Sequence, residues 1–236
     1  MTKKFSRVLL ISDLHLPYEH PDAFAFLSAL KKHINPDCVI GGGDEIDFHG
    51  ISMHDSDPDL YSAGHELYEA KRKIKELEKM FPTMKLLHSN HSSLIYRRGL
   101  KHGIPKGLLK DYNDFLEVGK GWEWVDNLVI KLSDGSECFL THGMSANVLK
   151  VAMQYGKSVV QFHYHSTYSI QYFSNPDALI WAMQLSCLVN QKSLAFAYAR
   201  NFSKRFIVGT GAIINSKPIL FPMVLNNKGR WIGKIV

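Results

Sequence analysis

Five short apolar runs in this chain each end abruptly in side chains able to bind metal or move protons. "RVLLISDLH" delivers Asp13 and His15, and "CVIGGGDEID" delivers Asp44 and Asp47. "MKLLHSNH" ends in Asn90 and His91, "ECFLTHG" in His142, and "SVVQFHYH" in His163 and His165. Alternation along a strand puts Asp13 and His15 on one side, and His163 and His165 likewise. Carboxylates, imidazoles and one amide oxygen form a donor set for borderline divalent ions such as Mn²⁺, Fe²⁺ or Zn²⁺. A soft thiolate site or an all-oxygen Ca²⁺ site would be built differently.

The glycines of "CVIGGGDEIDFHG" admit a second reading, a backbone cradle for phosphate. No Gly-Lys-Ser/Thr follows them, so a P-loop is excluded and a tight turn at a metal site fits better. Each element alone is weak, because a D-x-H tripeptide arises often by chance. Together they are hard to explain as packing, since buried ionisable groups are costly unless paired or ligating metal. His49 and His54, just past the second run, read as ordinary loop residues, the alternative being that they line the mouth of the site.

These side chains meet only if the runs are strands of common sheets, whose ends converge in a crevice. Short apolar runs bounded by polar residues are the pattern of strands buried on both faces. "PDAFAFLSALKKH" reads as a helix with Phe24, Leu27 and Leu30 on one face. "HELYEAKRKIKELEKM" reads as another, with a Leu67, Ala70, Ile74, Leu77, Met80 stripe and Glu69 one turn before Lys73. The order is strand, helix, strand, helix, strand, then a strand-rich half with hairpins turning at Asp134-Gly135 and near Asn227 to Gly229. Residues 176 to 205 read as helical and apolar. The class is α/β.

At 236 residues, 45% hydrophobic, the chain can bury one substantial core, and residues 1–236 read as one domain without repeats or linkers. A formal charge of +6 favours an anionic partner such as a nucleotide, nucleic acid or anionic lipid over a cationic one. The three cysteines are far apart and form no metal-type pair, as in a reduced cytoplasmic protein. "ALIWAMQLSCLV" is about half a membrane span, so no membrane partner is expected.

In order and residue type, D-x-H, G-D-x-x-D, N-H, a His before Gly, and H-x-H resemble the five motifs of the calcineurin-like metallophosphoesterase family. The resemblance implies a four-layer α/β/β/α sandwich with two mixed β-sheets and a binuclear centre that hydrolyses phosphate esters. It implies that Asp13, His15 and His165 hold one divalent ion, that Asn90, His142 and His163 hold the other, and that Asp44 bridges them. Mn²⁺ is the first expectation, with Fe²⁺, Zn²⁺ or Ni²⁺ as alternatives. His91 would be the general acid, its imidazole oriented by a hydrogen bond to Asp47.

The chain departs from the family pattern at Ser89, where Gly is usual, at Ser92, where an acid is usual, and at Phe162, where Gly precedes H-x-H. Arginines usual in the family's protein phosphatases are missing after the second motif and arrive late, as Arg97 and Arg98. The stretch from "NHSSLIYRR" through "DGSECFLTHG" and the ending "WIGKIV" are similar to phosphoesterases of bacteriophage genomes, which would place such a protein in the host cytoplasm. With the basic balance, this points to a nucleotide or nucleic-acid phosphoester, cleaved as by a phosphodiesterase or nuclease. Arg97, Arg98, Lys101, Lys106 and Lys110, with Tyr96, His102 and Tyr112 interleaved, are either a phosphate-gripping surface or a solvated loop and helix face. The rival readings are a protein Ser/Thr phosphatase and a non-catalytic binding module on the same fold.

Overall fold

The computed structural model describes residues 3–52, 59–193, 195 and 205–236. Strands β1 (Lys4–Phe5) and β2 (Arg7–Ile11) lead into helix α1 (Ala23–Ile34), β3 (Cys38–Gly41), α2 (Ala63–Met80) and β4 (Met84–Leu87). Helices α3 (Leu94–Lys101) and α4 (Tyr112–Leu116) precede β5 (Trp122–Val125), β6 (Asn127–Leu132) and β7 (Glu137–Thr141). Then come α5 (Val148–Tyr155), β8 (Ser158–Gln161), β9 (Ser169–Ser174), β10 (Leu179–Gln184), β11 (Gly209–Ile214) and β12 (Lys217–Pro222).

The strands form two six-stranded mixed sheets, ordered β12-β11-β2-β3-β4-β5 and β1-β6-β7-β8-β10-β9. β2 to β5 run parallel, and β11 and β12 add antiparallel. Strand alternation explains the layering. Leu9 and Ile11 of β2 face a core shared with Phe26, Leu30, Ile74 and Leu77 of α1 and α2. Val8 and Leu10 face the other way, onto Leu132, Leu140, Val160 and Met183 of the second sheet. Val148, Val151 and Ala152 of α5 cover the outer face of that sheet. The result is helix, sheet, sheet, helix. Each fully buried Leu or Val here contributes about 1.5–3 kcal/mol.

All five metal-type runs are strands: β2, β3, β4, β7 and β8. The β6–β7 hairpin turns at Asp134-Gly135 with Gly135 at φ 94°, as its sequence requires. Three expectations fail. Residues 179–184 are not helical; they form β10, between β8 and β9, because a run buried on both faces has no helical face to show. The C-terminal strand pair is β11–β12, turning at Asn215 and Ser216, while Asn226 to Gly229 closes only a bridge between Leu225 and Trp231. Glu69 pairs with Arg72, and Lys73 instead reaches Glu19.

Candidate metal centre

The two sheets present their polar strand ends to one crevice. Asp13 and His15 follow β2, Asp44 and Asp47 follow β3, Asn90 and His91 follow β4, His142 follows β7, and His163 and His165 follow β8. Three groups of donor atoms, each within 4.8 Å of one another, result: Asp13, His15, Asp44 and His165; Asp44, His142 and His163; and His15, Asp47 and His91. Asn90 joins through its Oδ1, 2.9 Å from His142 Nε2. His15, Asp44 and His163 hold left-handed backbone, at φ 49°, 47° and 73°. Such conformations are costly for non-glycine residues and persist where the surroundings impose them, often at functional sites.

Asp44 sits between the groups. Its Oδ2 lies 3.4 Å from His15 Nε2 and 3.4 Å from His142 Nε2. The other ring nitrogens are already committed: His15 Nδ1 to Asp47 Oδ1 at 2.6 Å, and His142 Nδ1 to the Gly42 carbonyl at 2.7 Å. Each ring therefore donates from Nδ1, and its Nε2, when neutral, turns a lone pair toward a carboxylate. Lone pair against lone pair is relieved by a proton on Nε2 or by a metal ion between them. Asp13 adds a buried Oδ1 that has no hydrogen-bond partner among the described residues. These buried Asp/His clusters fit a metal site.

The electrostatics agree. Burial opposes charge on His15, yet the Asp44 and Asp47 carboxylates raise its pKa well above the usual value. Burial likewise works against His142 and His165. Asp44 nevertheless lifts His142 to about 9, and Cys187 with Asp13 lifts His165 to about 10. Burial would raise Asp44, but His142 and His91 hold it well below the carboxylate range. The crevice demands positive charge, which protons or a metal can supply.

The residues around the cluster explain the departures noted above. Ser89 Oγ accepts from the Asp44 backbone N–H at 3.0 Å and lies 2.8 Å from Ser92 Oγ, which accepts from Ser89 N–H. The serine pair thus braces the backbone of Asp44. Phe162 is fully buried against Gly42, where a Cβ would lie 2.2 Å from its ring. The absence of a side chain at Gly42 is what leaves room for the Phe162 ring. Neither role is visible in sequence, because both depend on contacts between separate strands.

Asp47 divides its hydrogen bonds in a way the motif resemblance does not contain. Its carboxylate binds His15, and its backbone carbonyl accepts from His91 Nδ1, whose distance to the carboxylate is 3.5 Å. Arg98 donates to the carbonyls of Ile51 and Ser52, and Arg97, though exposed, donates to Asn90 O and Ser93 Oγ. Both guanidiniums brace backbone near the cluster. His49 lies at the edge, 3.7 Å from Asp47 Oδ2. His54 lies outside the described residues. Among the described residues no helix is long and apolar enough to cross a membrane.

No protein-family model matches the chain, and no curated protein matches it either. Solved structures do. Vps29 of Chaetomium thermophilum matches with a TM-score of 0.50 at 8% identity, over 99% of this chain and 95% of that one. The fold is calcineurin-like. Vps29 of Cryptosporidium parvum follows at 0.49 and 15% identity, covering 99% and 96% of the two chains. YfcE, a phosphoesterase from E. coli, is similar at 0.48 and 13%, covering 98% of each. At these identities the likeness is one of fold, so the chemistry rests on the side chains described above.

Proposed function

We propose that this protein is a binuclear metal-dependent phosphoesterase acting on nucleotide or nucleic-acid phosphoesters. The observation that carries the reading is the single Asp44 oxygen placed equally between two histidine nitrogens. One carboxylate facing two imidazoles is what a shared ligand of two ions requires. Asp13, His15 and His165 would hold one ion and Asn90, His142 and His163 the other, with Mn²⁺ the best candidate for this mixed N/O set and Fe²⁺, Zn²⁺ or Ni²⁺ the alternatives. When bound, such ions polarise phosphoryl oxygens and acidify a nucleophilic water.

The chain's own residues do the rest. Asp47 fixes the tautomer of His15, so that Nε2 is the liganding atom. The Asp47 carbonyl fixes His91 Nδ1 as a donor and leaves Nε2 to protonate the departing alkoxide. His91 suits that role because its side chain is 27% exposed, whereas His15 is 2% exposed and out of a substrate's reach. General acid assistance of this kind is worth about 10²–10⁴-fold. The net charge of +6 favours a polyanionic substrate over a neutral one.

The test is hydrolysis of aryl phosphomonoesters and phosphodiesters, nucleotides, DNA and phosphopeptides by protein supplied with Mn²⁺, beside a chelator-treated control. Metal-dependent turnover of nucleotide esters or DNA supports the reading. Turnover of phosphopeptides alone would replace it with a protein phosphatase, and no turnover of any substrate would replace it with a binding module.

A further inference from the structure

Beside the metal centre lies a small cleft of about 350 Å³, lined by Asn90, His142, His163, His88 and Asp126 among others. His88 and Asp126 also line a second, larger groove of about 1020 Å³. His88 and Asp126 thus form a common border between the cleft beside the metal cluster and the groove. The larger volume sits at the upper end of the ~300–1,000 Å³ typical of small-ligand clefts.

The groove is aromatic. Trp124 stacks on buried Tyr112, with ring centroids 5.1 Å apart and planes at 16°, and its indole N–H donates to Glu45 Oε1 at 3.1 Å. Tyr96 meets Tyr112 edge-on at 5.3 Å, with Lys106 Nζ 5.7 Å from its ring. Trp124 and Tyr96 are only half-buried, and both line the groove. Trp124 is thus locked from behind while part of its ring remains accessible. Glu45 neighbours Asp44 in sequence, so the same strand end anchors both the metal cluster and the indole.

The rim is acidic. Asp111, Asp114, Glu123 and Asp126 line it against Lys106 and Lys120. The lining is mixed in sign and lacks the continuous basic track that a chain of phosphates requires. A neutral heteroaromatic ring carrying amino donors fits: its face meets aromatic side chains and its edge meets carboxylates.

We propose that this groove is a nucleobase subsite, which holds the base of a nucleotide ester while its phosphate reaches the metal centre past His88 and Asp126. The proposal rests on the phosphoesterase reading and narrows it to substrates presenting an unstacked base, such as mononucleotides or strand ends. Stacking of this kind tolerates many bases.

Two substrates with one leaving group test it: the nitrophenyl ester of adenosine 5′-phosphate and nitrophenyl methyl phosphate. The wild-type protein should favour the adenosine ester in kcat/KM by about tenfold or more, the scale of one base–aromatic stack. Tyr96→Ala should raise KM for the adenosine ester and leave the methyl ester unchanged, Trp124→Leu should lose more on the adenosine ester than on the methyl ester, and Trp124→Phe should keep most of the preference. Equal kcat/KM on the two esters in the wild type, or equal losses on both in the variants, would overturn the subsite while leaving the phosphoesterase reading intact. If neither diester reacts, the substrate panel above still decides the phosphoesterase reading, and calorimetry with adenosine 5′-monophosphate decides the subsite. Binding that Tyr96→Ala abolishes supports it, and no binding to the wild type overturns it.

Discussion

Asp47 Oδ1 stands 2.6 Å from His15 Nδ1, closer than to any nitrogen of His91, whose Nδ1 is 3.5 Å away. The carboxylate therefore serves a candidate ligand, and the neighbouring carbonyl serves the candidate acid. Partners of this kind are worth about 10–100-fold in metal affinity. Asp47→Ala should weaken metal binding by that factor in a calorimetric titration. Unchanged affinity with reduced turnover would assign the carboxylate to His91 alone.

His91→Ala should leave metal affinity unchanged and lower kcat by about 10²–10⁴-fold on alkyl esters. The loss should shrink with nitrophenolate, a leaving group that needs little protonation. Equal losses on good and poor leaving groups would remove His91 as the acid.

Much of this centre was legible in the sequence, because each donor closes an apolar run and strand ends converge by geometry. What could not be read depends on which strands become neighbours. "ALIWAMQ" carries no period that separates a buried strand from a buried helix, and only its place between β8 and β9 decides. The pairing of Asp47 with His15 bridges two loops 32 residues apart, and Trp124 comes to Tyr112 and Glu45 from an edge strand. Composition carries no trace of either.

The pH dependence follows from His142 at about 9 and His165 at about 10, both above the ~6.5 of an unfolded histidine. Raised histidine pKa values stabilise the metal-free fold below about pH 6.5, and that contribution is lost as pH rises through about 9 to 10. Metal must displace these protons, so affinity should climb from neutral pH toward that window. Chelator-treated protein should show a falling Tm over the same range, and metal-loaded protein should not. Metal affinity that stays flat with pH would contradict the charge balance.

Gly42 and Phe162 should prove coupled. A Cβ on Gly42 would lie 2.2 Å from the ring, so Gly42→Ala overpacks the space between the sheets. Such overpacking costs about 1–3 kcal/mol. Phe162→Ala alone should be destabilising through its cavity, but the double variant should lose less than the sum, as measured by denaturant unfolding. Simple additivity would show that the contact is relaxed elsewhere.

The most direct test of the central claim is the metal content of the wild type and of Asp44→Asn after loading with Mn²⁺. An oxygen 3.4 Å from both His15 and His142 would serve two ions at once. The wild type should hold two ions per chain, and Asp44→Asn should lose more bound metal than His163→Ala or His165→Ala, each of which would remove a proposed ligand of one ion only. An Asp44→Asn protein that keeps full occupancy would contradict the shared-ligand centre and the phosphoesterase reading built on it.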